Sequence, residues 1–333
     1  MRFEYVPFGS RPGYDPAVAV GCDGLPPARV RLSHWPGAGT PPELRRDLST
    51  GIALAFARLG SAEHAAQFGR LEVVSNDHFD TDGLLAIFAV LNPREALARE
   101  EAMLAAAAAG DFWLAPTPRA LRVDLVVSSY TDALRSPLRE AAKTASPVEM
   151  ETLAFADLLQ KVPQLLDEPM ALGALVEDQV SQCETDLAEL RSGKFTIRRV
   201  PDLDLTIVRA SRPLDPRAVN EVAQTDRILE LRPGDLGTYA TLRWSSMSWF
   251  ETTRNRRLPR PSLTGIASFL LESEKGSGEW LVREEDSPFP AVVFGVHGGD
   301  HSVRSVPFAE RPSSQSPEDL ERTVLSALRS PLP

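Results

Sequence analysis

Apolar and polar positions along the first half of the chain predict repeated strand–turn–helix units. Ala28-Arg29-Val30-Arg31-Leu32-Ser33 alternates with the period of a half-buried strand, which His34-Trp35-Pro36-Gly37 ends. Thr40-Pro41-Pro42-Glu43 then has the form of a capping box with prolines in its first turn. Leu44, Leu48, Ile52, Ala55 and Leu59 follow on one face, predicting a helix to about Leu59. A second unit begins with Leu71-Glu72-Val73-Val74, passes through the polar stretch at residues 75–83, and continues in the apolar residues 84–91, closed by Asn92-Pro93. Before these units, residues 1–27 are rich in Pro and Gly and predict one short strand and a covering loop. After them, residues 93–109 predict an Ala-rich helix broken by Gly110-Asp111, residues 121–129 a further strand, and Tyr130-Thr131-Asp132 the start of another helix. Such alternation implies parallel strands joined by right-handed crossovers.

The pattern changes at Pro147. From there to about Ser192 it is purely helical, with breaks near Val162-Pro163 and Glu168-Pro169. Strands are then predicted over 195–199, 205–210, 227–231, 238–244, 280–283 and 291–296, interrupted by helices near 216–224 and 262–273. A hairpin is expected at 302–306, and a last helix from Ser316-Pro317. The expected fold class is α/β: a parallel-sheet N-terminal domain (1–160), a helical linker (161–194) and a smaller mixed α/β C-terminal domain (195–333).

The whole-chain numbers suit that reading. A chain of 333 residues exceeds what one core usually serves, so two domains are the default. Apolar residues at 43% and charged residues at 25% are ordinary for a globular protein. A net charge of −10 argues against general nucleic-acid binding, which needs a basic face. The two cysteines, Cys22 and Cys183, have no metal-ligand spacing and cannot form a disulfide framework, which fits a reducing cytoplasm. Neither a signal peptide nor an apolar membrane span is read from the sequence.

Chemistry concentrates in Ser75-Asn76-Asp77-His78-Phe79-Asp80-Thr81-Asp82-Gly83, where a strand ends and a helix begins. Ligands of open α/β sheets gather at such strand ends. Carboxylates beside an imidazole suit a divalent metal. The spacing His78-x-Asp80-x-Asp82-Gly83, with its β-branched strand before and apolar helix after, resembles the first motif of the DHH phosphoesterase superfamily. That superfamily includes RecJ-like nucleases, small-oligonucleotide phosphodiesterases and manganese-dependent pyrophosphatases. The resemblance covers about twenty residues, and the namesake Asp-His-His triplet is absent from the chain. It implies a DHH-like architecture in which His78, Asp80 and Asp82 ligate paired divalent metals, Mn²⁺ foremost, with Mg²⁺ or Zn²⁺ as alternatives.

Ligands replacing the missing triplet are sought at His34, Asp111 and Asp124; Asp47 lies too far into its helix. The turn His297-Gly298-Gly299-Asp300-His301 offers a backbone nest and two imidazoles for an anion. Arg254 and Arg257, in an aromatic- and arginine-rich stretch, offer guanidinium forks for phosphate. The expected activity is metal-dependent hydrolysis of a phosphoester or phosphoanhydride in a small phosphorylated or nucleotide substrate. A catalytically silent nucleotide- or metabolite-binding protein is the alternative, and the oligomeric state stays open.

Overall fold

The structure, a computed structural model, describes residues 1–132, 134–253, 260–283, 285–297 and 308–330. The chain divides into two compact units, residues 1–184 with 250–255, and residues 185–249 with 256–333.

The first unit runs β1 (Arg2–Tyr5), β2 (Ala19–Cys22), β3 (Val30–Leu32), α1 (Ser49–Ala57), α2 (Ser61–Phe68), β4 (Val73–Asn76), α3 (Thr81–Leu91), α4 (Pro93–Leu97), α5 (Glu100–Asp111), α6 (Pro118–Ser129), α7 (Arg139–Ala142), α8 (Pro147–Asp167) and α9 (Met170–Gly173). Helix α10 (Glu177–Arg191) carries the chain into the second unit. The four strands form one wholly parallel sheet in the order β1-β4-β2-β3. All their carboxyl ends therefore share one edge. Its centre is α3, buried from Thr81 to Val90 and packed on α1, α5 and α8, as expected of a helix that is apolar all round.

Several elements depart from the sequence expectation. Residues 1–27 hold two strands, and β2 is fully buried in the sheet. Only seven residues join the parallel neighbours β2 and β3, where a crossover of a dozen or more is usual. The short link works because strands of three or four residues span only about 10–13 Å. Pro26 folds back over Gly21, where a Cβ would lie 2.7 Å from Pro26 Cγ. Thr40 starts no long helix: its hydroxyl donates to the Ser33 carbonyl (2.5 Å) and accepts from the Ser33 N–H (3.2 Å), and α1 begins at Ser49. Residues 93–109 form two helices, parted at Ala98-Arg99.

Residues 121–129 are helical, lying in α6 rather than in a strand. Thr117 Oγ1 accepts the Ala120 N–H at 3.1 Å and Pro118 occupies the first helical position, so a strong local start outweighs the β-branched run. Tyr130-Thr131 is a turn, and the next helix waits until Arg139. Helix α8 passes through Pro163 unbroken, held by buried Val162, Leu165 and Leu166, and ends at Glu168-Pro169 as expected.

The second unit contains β5 (Thr196–Val200), β6 (Leu205–Arg209), α11 (Pro216–Ala223), β7 (Arg227–Gly234), β8 (Gly237–Trp244), α12 (Leu263–Glu272), β9 (Glu279–Arg283), β10 (Ala291–His297), β11 (Phe308–Glu310) and α13 (Pro317–Arg329). Its mixed sheet has the order β11-β10-β8-β7-β6-β5, with β9 also on β10. Leu205, Ile207, Leu229, Leu242 and Phe294 pack under Ile266 and Leu270 of α12 and Leu320 and Val324 of α13. Ser316 caps α13 as its sequence predicts, accepting the Asp319 N–H at 3.1 Å. The hairpin expected at 302–306 lies outside the described residues.

If the Thr117 cap starts α6, Thr117→Ala lowers stability by about 1 kcal/mol. A urea denaturation midpoint equal to wild type would contradict that role.

Candidate metal centre

The carboxyl edge of the first sheet collects the chemistry. Asp23 follows β2, His34 follows β3, Asp77 and His78 follow β4, and Asp80 and Asp82 enter α3. Asn76 ties two of these loops together: its side-chain amide donates to the Cys22 carbonyl (2.7 Å) and its Oδ1 accepts the His78 N–H (2.9 Å). Gly83 allows α3 to approach this edge, because a Cβ there would sit 2.7 Å from Asn76 Nδ2 and 3.5 Å from Asp23 Oδ2.

Among the described residues two groups of ligand-type atoms result, each mutually within 4.8 Å: Asp23, His34 and Asp82, and Asp23, His78 and Asp80. Asp23 belongs to both. Its Oδ1 lies 3.8 Å from His34 Nε2, and its Oδ2 lies 3.1 Å from His78 Nε2. Ser49 Oγ also donates to Oδ1 at 2.7 Å. The first group is closed, every member being buried, and Asp111 Oδ2 adds a carboxylate 2.9 Å from His34 Nε2. The second opens outward, with side-chain exposures of 27% for His78 and 35% for Asp80. Closed cation sites are typically structural, whereas catalytic ones keep an open side.

Both imidazoles are oriented through their other nitrogen. His34 Nδ1 lies 2.6 Å from the Asp47 carbonyl oxygen, which can only accept, so Nδ1 carries the proton. His78 Nδ1 lies 2.8 Å from Asp77 Oδ1, and Asp77 Oδ2 accepts the Leu25 N–H at 2.9 Å. Each Nε2 is thereby aimed at the Asp23 carboxylate, the arrangement by which proteins fix ligating histidines. Buried His34 Nε2 and Asp23 Oδ2 make no hydrogen bond of good geometry despite these short approaches. Atoms so placed suit a cation between them, so the residues fit a divalent ion.

Asp82 and Asp80 also serve as helix caps. The oxygens of Asp82 accept the N–H groups of Ser49 and Thr50, both at 2.7 Å, capping α1 across the fold, where Leu48 has no cap to offer. Asp80 Oδ1 accepts the Gly83 N–H at 2.7 Å and caps α3, leaving Oδ2 3.0 Å from His78 Nε2.

The charge balance is lopsided. Burial by itself pulls the His34 pKa down, but Asp111, Asp82 and Asp23 outweigh it and raise it to about 9. For His78 burial is likewise outweighed, by Asp80, Asp23 and Asp77, and its pKa stands well above the usual value. Burial, then Asp82 and Asp80, hold the Asp111 carboxyl well above its ordinary range. Burial and Asp23 raise Asp82 in the same way. Burial also acts to raise Asp23, yet the two imidazoles bring it below its ordinary value. With Asp77 and Asp80 the cluster holds, among the described residues, five acidic side chains to two imidazoles.

Of the residues singled out from the sequence, His34, His78, Asp80, Asp82 and Asp111 come together here. Asp124 does not: it sits in α6, and its Oδ1 accepts the Thr81 hydroxyl at 2.7 Å, bracing the start of α3. His297 ends β10, while Arg254, Arg257, Gly298, Gly299 and His301 lie outside the described residues. Sequence reasoning missed Asp23, the residue common to both groups. Its signal was an Asp-Gly directly after the short apolar run Ala19-Val20-Gly21-Cys22, obscured by the surrounding prolines and glycines.

The model of a family of unknown function, DUF6687, matches residues 1–332. The chain belongs to that family. No curated protein and no solved structure matches it.

Asp77 acts through His78 and not as a ligand in either group. If the open group holds Mn²⁺, Asp77→Ala is therefore expected to weaken its binding by about 10–100-fold. Gly24→Ala should act by the same route, since Gly24 has φ +57° and a Cβ would lie 2.0 Å from Asp77 Oδ1. Mn²⁺ titrations indistinguishable from wild type in both variants would contradict the positioning role.

Proposed function

We propose that the chain is a divalent-metal-dependent hydrolase acting on a phosphoester or phosphoanhydride bond of a small phosphorylated substrate. The observation that carries the reading is Asp23, one carboxylate shared between a closed and an open imidazole–carboxylate group. Asp23, His34 and Asp82, with Asp111 beside His34, would hold a cation in the closed group. Asp23, His78 and Asp80 would hold one in the open group. Oxygen and imidazole donors of this kind favour Mn²⁺, with Mg²⁺ or Zn²⁺ as alternatives. Paired divalent ions supply Lewis acidity at phosphoryl oxygens and a nucleophilic water at neutral pH.

The chain's own residues provide the rest. Asp77 and the Asp47 carbonyl fix the two rings. Asp80 and His78 form the side that a substrate can reach, and the closed group is shielded from solvent. The likeness of His78-x-Asp80-x-Asp82-Gly83 to the first DHH motif supports phosphoryl chemistry, and the DHH-like architecture is part of the same proposal. In this reading His34 and Asp23 take the place of the absent Asp-His-His triplet. That absence also supports the second reading, a protein that binds a phosphorylated metabolite without turning it over.

Asparagine caps a helix as well as aspartate does, so Asp80→Asn should keep α3 while removing a charged ligand. We expect Mn²⁺-dependent phosphate release by the wild type from a panel of small phosphoesters, inorganic pyrophosphate and nucleotides. Asp80→Asn should reduce it by at least a hundredfold, on the order of 2.7 kcal/mol of barrier. Thermal stabilisation by one of these ligands without turnover would favour the binding protein instead. Neither turnover nor stabilisation would overturn both readings.

A further inference from the structure

The closed group is held by a piece of chain from far along the sequence. Residues Phe250–Thr253 lie between parts of the second unit in sequence but belong by contact to the first. Phe250 is buried and lies flat on the His34 ring, with centroids 3.8 Å apart and planes 15° apart. The Glu251 N–H donates to the His34 carbonyl at 2.6 Å, and Glu251 Oε1 accepts the Gly37 N–H at 3.2 Å. Thr253 donates to Asp47 Oδ1 through its backbone N–H (2.6 Å) and its hydroxyl (2.5 Å). Asp47 is the residue whose carbonyl oxygen accepts from His34 Nδ1. The segment thus touches His34 on its ring face and its carbonyl, and reaches the ring edge through Asp47.

We infer that Phe250–Thr253 is a strap that positions the His34 imidazole for cation binding, so that seating of the strap and occupancy of the closed group favour each other. The inference rests on the closed group being a cation site. An Nε2 lone pair is useful only when aimed, and the Asp47 hydrogen bond alone leaves the ring free to tilt about it. The stacked Phe250 ring removes that freedom, because stacked aromatic rings attract each other beyond what their buried area alone provides. Whatever the strap adds to cation affinity, the cation must return as strap stability, because coupling between two equilibria is reciprocal. Phe250 is a positioning residue in this account, and it touches neither a cation nor a substrate.

The test uses the full chain carrying Asp80→Asn, which leaves the closed group complete. Mn²⁺ is titrated into Asp80→Asn alone and combined with Phe250→Leu or Phe250→Tyr, and hydrogen exchange at the Glu251 and Thr253 amides is followed with and without Mn²⁺. The leucine variant is expected to bind Mn²⁺ about two- to tenfold more weakly, and the tyrosine variant as tightly as its Phe250 parent, which separates ring stacking from apolar bulk. Mn²⁺ should slow exchange at both amides in the Phe250 parent. Equal affinity in the leucine variant, or amide exchange indifferent to Mn²⁺, would overturn the strap. If the wild type and Asp80→Asn both bind no Mn²⁺, the cation reading fails and the inference falls with it.

Discussion

Crowding like charges at the buried end of a sheet is the constraint on which the rest of this structure depends. Asp23, Asp77, Asp80, Asp82 and Asp111 gather around two imidazoles, and most of these groups are shut away from water. Buried carboxylates are stable only when paired, hydrogen-bonded or neutralised. The fold meets part of the demand with backbone dipoles, since Asp82 sits on the first N–H groups of α1 and Asp80 on those of α3. The imidazoles supply more, with pKa values pushed upward by the acids that face them. Divalent cations would satisfy the remainder with donors already aimed.

Much of the first unit reads as scaffolding for that cluster. Very short strands let β2 and β3 lie side by side across a seven-residue link, which is what delivers Asp23. Gly24 and Gly83 sit where a side chain would collide with Asp77 and Asn76 respectively. Helix α3, buried almost throughout, fixes the entry of Asp80 and Asp82 against α1 and α5. The division into a closed and an open group follows from depth alone: His34 emerges beneath Phe250, whereas His78 emerges where the surface begins.

How much of this was legible in the sequence depended on the range of the interactions. The motif at 78–83 and the strand before it were readable, because the strand and the apolar helix are local; that Asp80 caps α3 while Asp82 caps α1 was not. The cap of α1 comes from Asp82, thirty-three residues beyond Ser49, and Leu48 gives no sign of it. Asp23 escaped notice because a four-residue strand containing glycine has too little periodicity to stand out from a Pro/Gly-rich stretch. Residues 121–129 misled in the opposite direction: their β-branched run was real, but the Thr117-Pro118 start decided the element. The role of Phe250 could not be read at all, as nothing local links it to His34 across more than two hundred residues. In the second unit the strands from β5 to β10, helices α11 and α12 and the Ser316 cap of α13 rest on local features and lie within a few residues of expectation, whereas β11 was not expected and the strand expected at 302–306 lies outside the described residues.

One carboxylate, Asp23, would serve two cation groups at once. Metal analysis of protein purified without chelator and saturated with Mn²⁺ tests it most directly, comparing wild type with Asp23→Asn. Two equivalents of Mn²⁺ are expected per wild-type chain and less than one in the variant. A variant that holds as much metal as the wild type, or a wild type that holds none, would contradict it.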